Sequence, residues 1–272
     1  MSTSTVPTRR ALQAPPSRGL SFGGILHSEW VKLRSLRSTI WSFGLLFTTI
    51  LGLGFLISQL YTSTEGMSGH VFQPSVVVNS ITTGGIIGQL LVAVLGVLLI
   101  GGEYSTGQIR SSFAAVPNRL PVLAAKAIVF ATTTFIASLS ALVATYFVCA
   151  PVFAGKGVDS SIWDWAIAGP ILGLAAFLSL LGVISMGIGA IVRSTAGGIA
   201  ASLGLILVVP SVLQVMRADW ATAVANTLPS IMGKQLFYFG GDAEPWQAAL
   251  VLLAWVAAFF SIAVALIKKR DA

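Results

Sequence analysis

Six stretches of this chain run for 21 residues or more without one charged side chain: 40–60, 77–100, 127–150, 166–192, 195–215 and 247–267. A helix rises about 1.5 Å per residue, so roughly 20 apolar residues cross a hydrocarbon core about 30 Å thick. Each stretch meets that length. Membrane strands would alternate polar and apolar residues, and these runs do not. The fourth and fifth stretches are parted only by Arg193 and Ser194. One helix through both would far exceed the membrane thickness, so a tight turn is predicted there. The expected fold class is an all-α polytopic membrane protein with six transmembrane helices. Composition agrees: 55 % of the 272 residues are hydrophobic and 9 % charged, against about 25 % charged in an average soluble domain. A cytosolic enzyme, a disordered chain and a collagen are excluded on these grounds.

Charge then orients the chain. Thirteen of the 16 Lys and Arg fall on one side of a six-span layout, and only Lys156, Arg217 and Lys234 on the other. Of the acids, Glu29, Glu103 and Asp271 share the basic side, and the remaining six lie opposite. The positive-inside rule places both termini in the cytoplasm, so the net charge of +7 reads as topology and not as nucleic-acid binding. Residues 1–19 hold Arg9, Arg10 and three prolines but no apolar core. That predicts a disordered basic cytoplasmic tail and no cleavable leader. Residues 268–272 read as a second cytoplasmic tail. The single Cys149 excludes an internal disulfide framework.

Three segments are neither tail nor span. In residues 20–39, Leu26, Trp30, Leu33, Leu36 and Ile40 recur at helical spacing. Glu29, Lys32 and Arg34 lie to the sides of that stripe, and Arg37 falls close to it. The pattern predicts an interfacial amphipathic helix, with Trp30 near headgroup depth. The loop 101–121 carries Glu103 at the inner end of the second span. Ser105 or Thr106 can cap a short helix there, on which Ile109, Phe113 and Val116 share a face beside Gln108 and Arg110. From physics alone this is either a partner-binding helix or a solvated turn with orientation charges. Residues 217–245 are too polar to span and too apolar for a free loop, with Trp220, Leu228, Ile231, Leu236, Phe237 and Phe239 around Pro229. Short half-inserted helices on the outer side fit them. The pairs Gly84 and Gly88, Gly169 and Gly173, and Gly197 and Ala201 match the small-xxx-small packing pattern.

Chemical motifs are sparse, and that discriminates. The chain has no GxxxxGK[ST]; Gly155-Lys156-Gly157 and Gly233-Lys234-Gln235 come nearest and lack the Ser or Thr that binds magnesium. Its two histidines, His27 and His70, form no HExxH and stand outside the spans. No metal ligands, catalytic residues or cofactor-binding residues are predicted. The spans hold no Asp, Glu or His, which argues against a proton relay and leaves sodium coupling through hydroxyls and carbonyls open. Thr48 and Gln89 are the candidates for lining a substrate path.

Two strings carry a resemblance. SEWVKLRSLRST (28–39) and GGEYSTGQIRSSFAAVPNRLPVLAAKA (101–127) resemble the segment before the first crossing and the first cytoplasmic loop of bacterial ABC transporter permeases of the second exporter type. Their order, the six-span layout and the segment before the last helix fit the same family. The resemblance implies a permease subunit without its own ATPase, paired with a second permease copy as a homodimer or heterodimer. It also implies a separate ATP-binding subunit that holds ATP and Mg. By this resemblance Glu29, Trp30, Lys32, Arg34 and Arg37 belong to an interfacial connecting helix. Glu103, Ile109, Arg110 and Phe113 become the ATPase-coupling region, and 217–245 becomes a re-entrant segment closing the outer mouth. Gln108 stands where a Thr is more usual in the family. The family's substrates include drugs, antibiotics, peptides, lipids and polysaccharides. The alternatives are a non-transporting membrane scaffold or sensor-complex subunit, and a sodium-coupled carrier.

Overall fold

The structure is a computed structural model that describes residues 21–64, 74–107, 119–158, 160–238 and 244–269. Every regular element among them is helical, and six helices are long and apolar enough to cross a membrane. The protein is an all-α polytopic membrane protein. Helix α1 (Phe22–Ser35) precedes three spanning helices, α2 (Arg37–Thr64), α3 (Pro74–Ser105) and α4 (Arg119–Ala154). The fourth span is α5 (Trp165–Val192). The fifth is built from α6 (Thr195–Leu203), a π-helical segment (Gly204–Val208) and α7 (Val209–Val215). Then come α8 (Asp219–Ala225), α9 (Pro229–Met232), a 3₁₀ turn (Gly233–Leu236) and the last span, α10 (Pro245–Lys269).

The spans agree with those expected, and their ends are extended. The first begins at Arg37 and not at residue 40, so 37–39 belong to α2 and not to the interfacial segment. The loop expected over 101–121 is shorter than drawn: Gly101–Ser105 finish α3 and 119–121 open α4. The Ser105 and Thr106 hydroxyls both donate to the Gly102 carbonyl, 3.0 and 2.8 Å away. They close the end of α3. The expected helix with Ile109, Arg110, Phe113 and Val116 lies outside the described residues, as do the tail 1–19 and Phe239.

Helix α1 is capped by Ser21, whose hydroxyl accepts from the Gly24 amide at 3.2 Å. It ends at Leu36, whose extended backbone (ψ 109°) turns the chain into α2. Its buried face is Ile25, Glu29 and Leu33, so of the expected stripe only Leu33 is buried. Trp30, Leu36 and Ile40 point outward, with Trp30 45 % exposed. Apolar periodicity found the face available to hydrocarbon. The inward face carries a carboxylate, which that periodicity scores as solvent-facing.

The turn at Arg193 is as tight as expected. Arg193 takes a left-handed conformation (φ 56°) and its amide closes α5 on the Gly189 carbonyl. Ser194 then caps α6, accepting from the Gly197 amide at 3.3 Å. The π-helical segment precedes Pro210, which has no amide and whose ring crowds the carbonyl four residues back. Widening the preceding turn relieves that conflict, and the Val209 amide bonds Gly204 five residues back.

Helices α5 and α3 are the most buried spans, and they touch backbone to backbone at Gly96 and Gly182. A Cβ at Gly96 would collide with the Gly182 carbonyl. Neither glycine belongs to a pair singled out by spacing. Among those pairs, Gly84 packs on the Ile50 backbone and Gly173 on the Leu236 carbonyl, whereas Gly197 meets only its own turn at Val192 and Ser194. The segment from α8 to the 3₁₀ turn folds back on α5 and α10. Leu228, Leu236 and Phe237 are buried there and Trp220 is exposed. Phe237 lies beside Phe177 with ring centroids 6.0 Å apart. The Trp255 indole donates to the Thr227 carbonyl at 2.7 Å, and the Tyr238 hydroxyl donates to Asn79 at 3.0 Å.

Candidate functional site

Four charged side chains meet where α1 crosses the ends of α3 and α4. Lys126 is the centre. Its ammonium donates to Glu29 of α1 at 2.5 Å and to Glu103 of α3 at 2.7 Å. Lys32 lies one turn beyond Glu29 on α1 and reaches Glu29 at 2.6 Å and Glu103 at 3.6 Å. The cluster holds two cations and two anions and is electroneutral. Lys126 and Glu29 are each 4 % exposed, and Glu103 is buried.

Such burial is tolerable only because each charge faces opposite ones. An unpaired ion in this setting is far more costly than the pair. Helical spacing does the positioning on α1, because Glu29 and Lys32 are i and i+3. Ile25 and Leu33, one turn either side of Glu29, are buried with Leu123, Val129 and Phe130 of α4 in one apolar cluster. Burial by itself would lower the Lys32 ammonium. The hydrogen bond to Glu29 and the charges of Glu103 and Glu29 outweigh it and hold Lys32 above its ordinary 10.5.

Beside the cluster is a cleft of about 340 Å³. The four charges line it together with Leu33, Leu36, Leu98 and Leu99. A second device lies on the same side of the bundle. The Arg193 guanidinium sits 5.6 Å from the centre of the Tyr104 ring and donates to the Leu266 carbonyl at 3.5 Å. The Tyr104 hydroxyl donates to the Ala190 carbonyl at 3.5 Å. The ends of α3, α5 and α10 are joined there.

Of the residues expected to act, the structure brings together Glu29, Lys32 and Glu103. Trp30, Arg34 and Arg37 are exposed and take no part in the cluster. Thr48 is exposed and its hydroxyl donates to its own helix at Gly44, 3.0 Å away. Gln89 is buried on α3. Neither Thr48 nor Gln89 lines the cleft. Ile109, Arg110 and Phe113 lie outside the described residues. In the sequence Lys126 stands only as one of the thirteen basic residues on one side of the layout. Its signal was present, since it is the one ion in the run VLAAKAIVF, and an ion inside an apolar helix needs a partner. No group of three or more His, Cys, Asp or Glu able to hold a metal occurs among the described residues. No protein-family model matches the chain, and no curated protein matches it.

Proposed function

We propose that this chain is the membrane-spanning permease subunit of an ATP-driven ABC transporter in the bacterial cell membrane, with both termini cytoplasmic. It exports a drug, antibiotic, peptide or lipid-like substrate, and a separate ATP-binding subunit supplies the work. The observation that carries the reading is spatial. The two strings that resemble the family are some seventy residues apart in sequence, and their charged residues converge: Glu29 and Lys32 from the first meet Glu103 and Lys126 from the second. Helix α1 and the ends of α3 and α4, which flank residues 108–118, are thereby tied together. A push on that loop from a cytosolic partner reaches three helices at once. The chain carries no phosphate-cradling loop of its own, so the ATPase is a partner in this reading.

The test is co-purification and transport at matched membrane levels. An ATPase with a P-loop should copurify with the native chain and be lost with Phe113→Ala. An interfacial aromatic anchor is worth about 2 kcal/mol or more, which is roughly thirtyfold in affinity. Glu103→Gln should weaken transport more than expression. If no such ATPase copurifies, the chain is not this permease. Transport that persists without ATP and follows a sodium gradient identifies a carrier instead.

A further inference from the structure

The cleft beside the ionic cluster has a polarity gradient that the permease reading does not use. At its charged mouth are Glu29, Lys32, Glu103 and Lys126. It shares Leu36, Ser38, Leu98 and Leu99 with an adjoining narrower cleft of about 60 Å³, which adds Thr39, Ser42, Leu95 and Phe130; the Ser42 hydroxyl is turned to its own helix, donating to the Ser38 carbonyl at 2.8 Å. Leu95 lies eight residues before Glu103 on α3, or about 12 Å deeper at the helical rise. Phe130 lies one turn deeper than Lys126. The space therefore runs from ions at the end of the bundle to leucines and an aromatic ring inside the apolar zone. That is the sense in which an amphiphile stands in a membrane. The sides agree, because Leu36 and Leu98, which line the cleft, are exposed apolar residues. In a spanning helix such a surface faces hydrocarbon, so the cleft opens toward lipid.

The charges narrow the headgroup. The mouth holds two ammonium and two carboxylate groups within one ion-paired set. A headgroup that is only anionic meets the repulsion of Glu29 and Glu103. One that is only cationic meets Lys32 and Lys126. A headgroup with both signs can set each end against its opposite and leave the site neutral. Neutrality is decisive where charges are poorly solvated.

We propose that this cleft binds one zwitterionic phospholipid of the leaflet on the α1 side. Its phosphate faces Lys32, its ammonium faces Glu103, and an acyl chain follows Leu99 and Leu95 toward Phe130. The bound lipid fills the space between α1, α2 and α3 and fixes the angle of α1 on the bundle. The inference uses the spanning architecture and the cluster, and it holds whether or not the chain is a permease.

Gly102 provides the test. It lines the cleft, and a Cβ added there meets nothing within 4 Å. A larger side chain at this position enters the cleft without moving the backbone. The full-length chain would be reconstituted in vesicles of equal phosphatidylethanolamine and phosphatidylglycerol, re-extracted in mild detergent, and weighed by native mass spectrometry. The unaltered chain should retain one phosphatidylethanolamine, at least tenfold in preference to phosphatidylglycerol. Gly102→Phe should lower that retention at least tenfold, and Ile87→Phe, on an exposed face of the same helix, should leave it unchanged. Equal retention of the two lipids by the unaltered chain overturns the proposal. So does full retention by a monodisperse Gly102→Phe protein. If that variant does not fold, the selectivity of the unaltered chain decides. The outcome is independent of whether an ATPase copurifies.

Discussion

The Lys126 ammonium lies 2.7 Å from the Glu103 carboxylate, joining two consecutive spanning helices at the end where the chain passes from one to the other. Both side chains are buried. The same ammonium also holds Glu29 of α1. One cation thus sets the spacing of three elements.

Removing it should be severe. Among the described residues, Lys126→Met leaves Glu103 with the longer contact to Lys32, and Glu29 with its bond to Lys32. Breaking a buried ion network from one side costs about 3–5 kcal/mol. The double variant Lys126→Met with Glu103→Gln leaves the Glu29–Lys32 pair of 2.6 Å intact, and should recover much of that loss. Unfolding midpoints in detergent would show the difference. Equal midpoints for the single variant and the unaltered protein would place the cluster in free contact with water.

Lys32 makes stability depend on alkaline pH. Its folded pKa is raised above the ordinary 10.5 because the bond to Glu29 and the charge of Glu103 outweigh its burial. A raised folded pKa means that the folded state holds this proton more tightly than the unfolded chain. The contribution is complete below 10.5 and disappears as pH rises through the folded value. Between pH 9 and 12 the thermal midpoint should fall, and Lys32→Gln should flatten the high-pH part of that fall.

Two glycines on one helix should respond in opposite ways. At Gly96 a methyl group collides with the Gly182 carbonyl, whereas at Gly102 it meets open space. Gly96→Ala should cost about 1–3 kcal/mol, the usual penalty of overpacking. Gly102→Ala should be neutral or stabilising by up to about 1 kcal/mol, because alanine favours the helix. Comparing the two midpoints removes the common effect of losing a glycine.

The proposed orientation, with both termini cytoplasmic, rests on thirteen basic residues on one side of the six-span layout against three on the other. In a Cys149→Ser background, cysteine at exposed Ser105 should be shielded from an impermeant external thiol reagent in intact cells. Cysteine at exposed Ser161 should react. External labelling at position 105 reverses the topology.

Much of this architecture was legible because long apolar runs admit few alternatives. A backbone in hydrocarbon must satisfy its own hydrogen bonds, so each run is a helix and its length identifies a crossing. The turn at Arg193 followed from the same length limit. Of the two substrate-path candidates, Thr48 is exposed and bonds its own helix, while Gln89 is buried. Hydroxyls and amides in apolar helices can satisfy themselves locally, so their presence does not reveal which way they face.

The sequence by itself determined the six spanning helices and the charge asymmetry between their ends, because these depend on local length, hydropathy and the position of ions relative to apolar runs. Tertiary structure decided which face of α1 turns inward and which ions meet. Glu29 looked like a flanking residue and Lys126 like a topology marker until α1 lay across α3 and α4. Pairing of charges 23 and 97 residues apart in the chain is a property of how helices pack. No local period encodes it. Gly96 carries the same lesson in steric form: it is an ordinary helical glycine alone, and only the approach of the Gly182 carbonyl makes its missing side chain necessary.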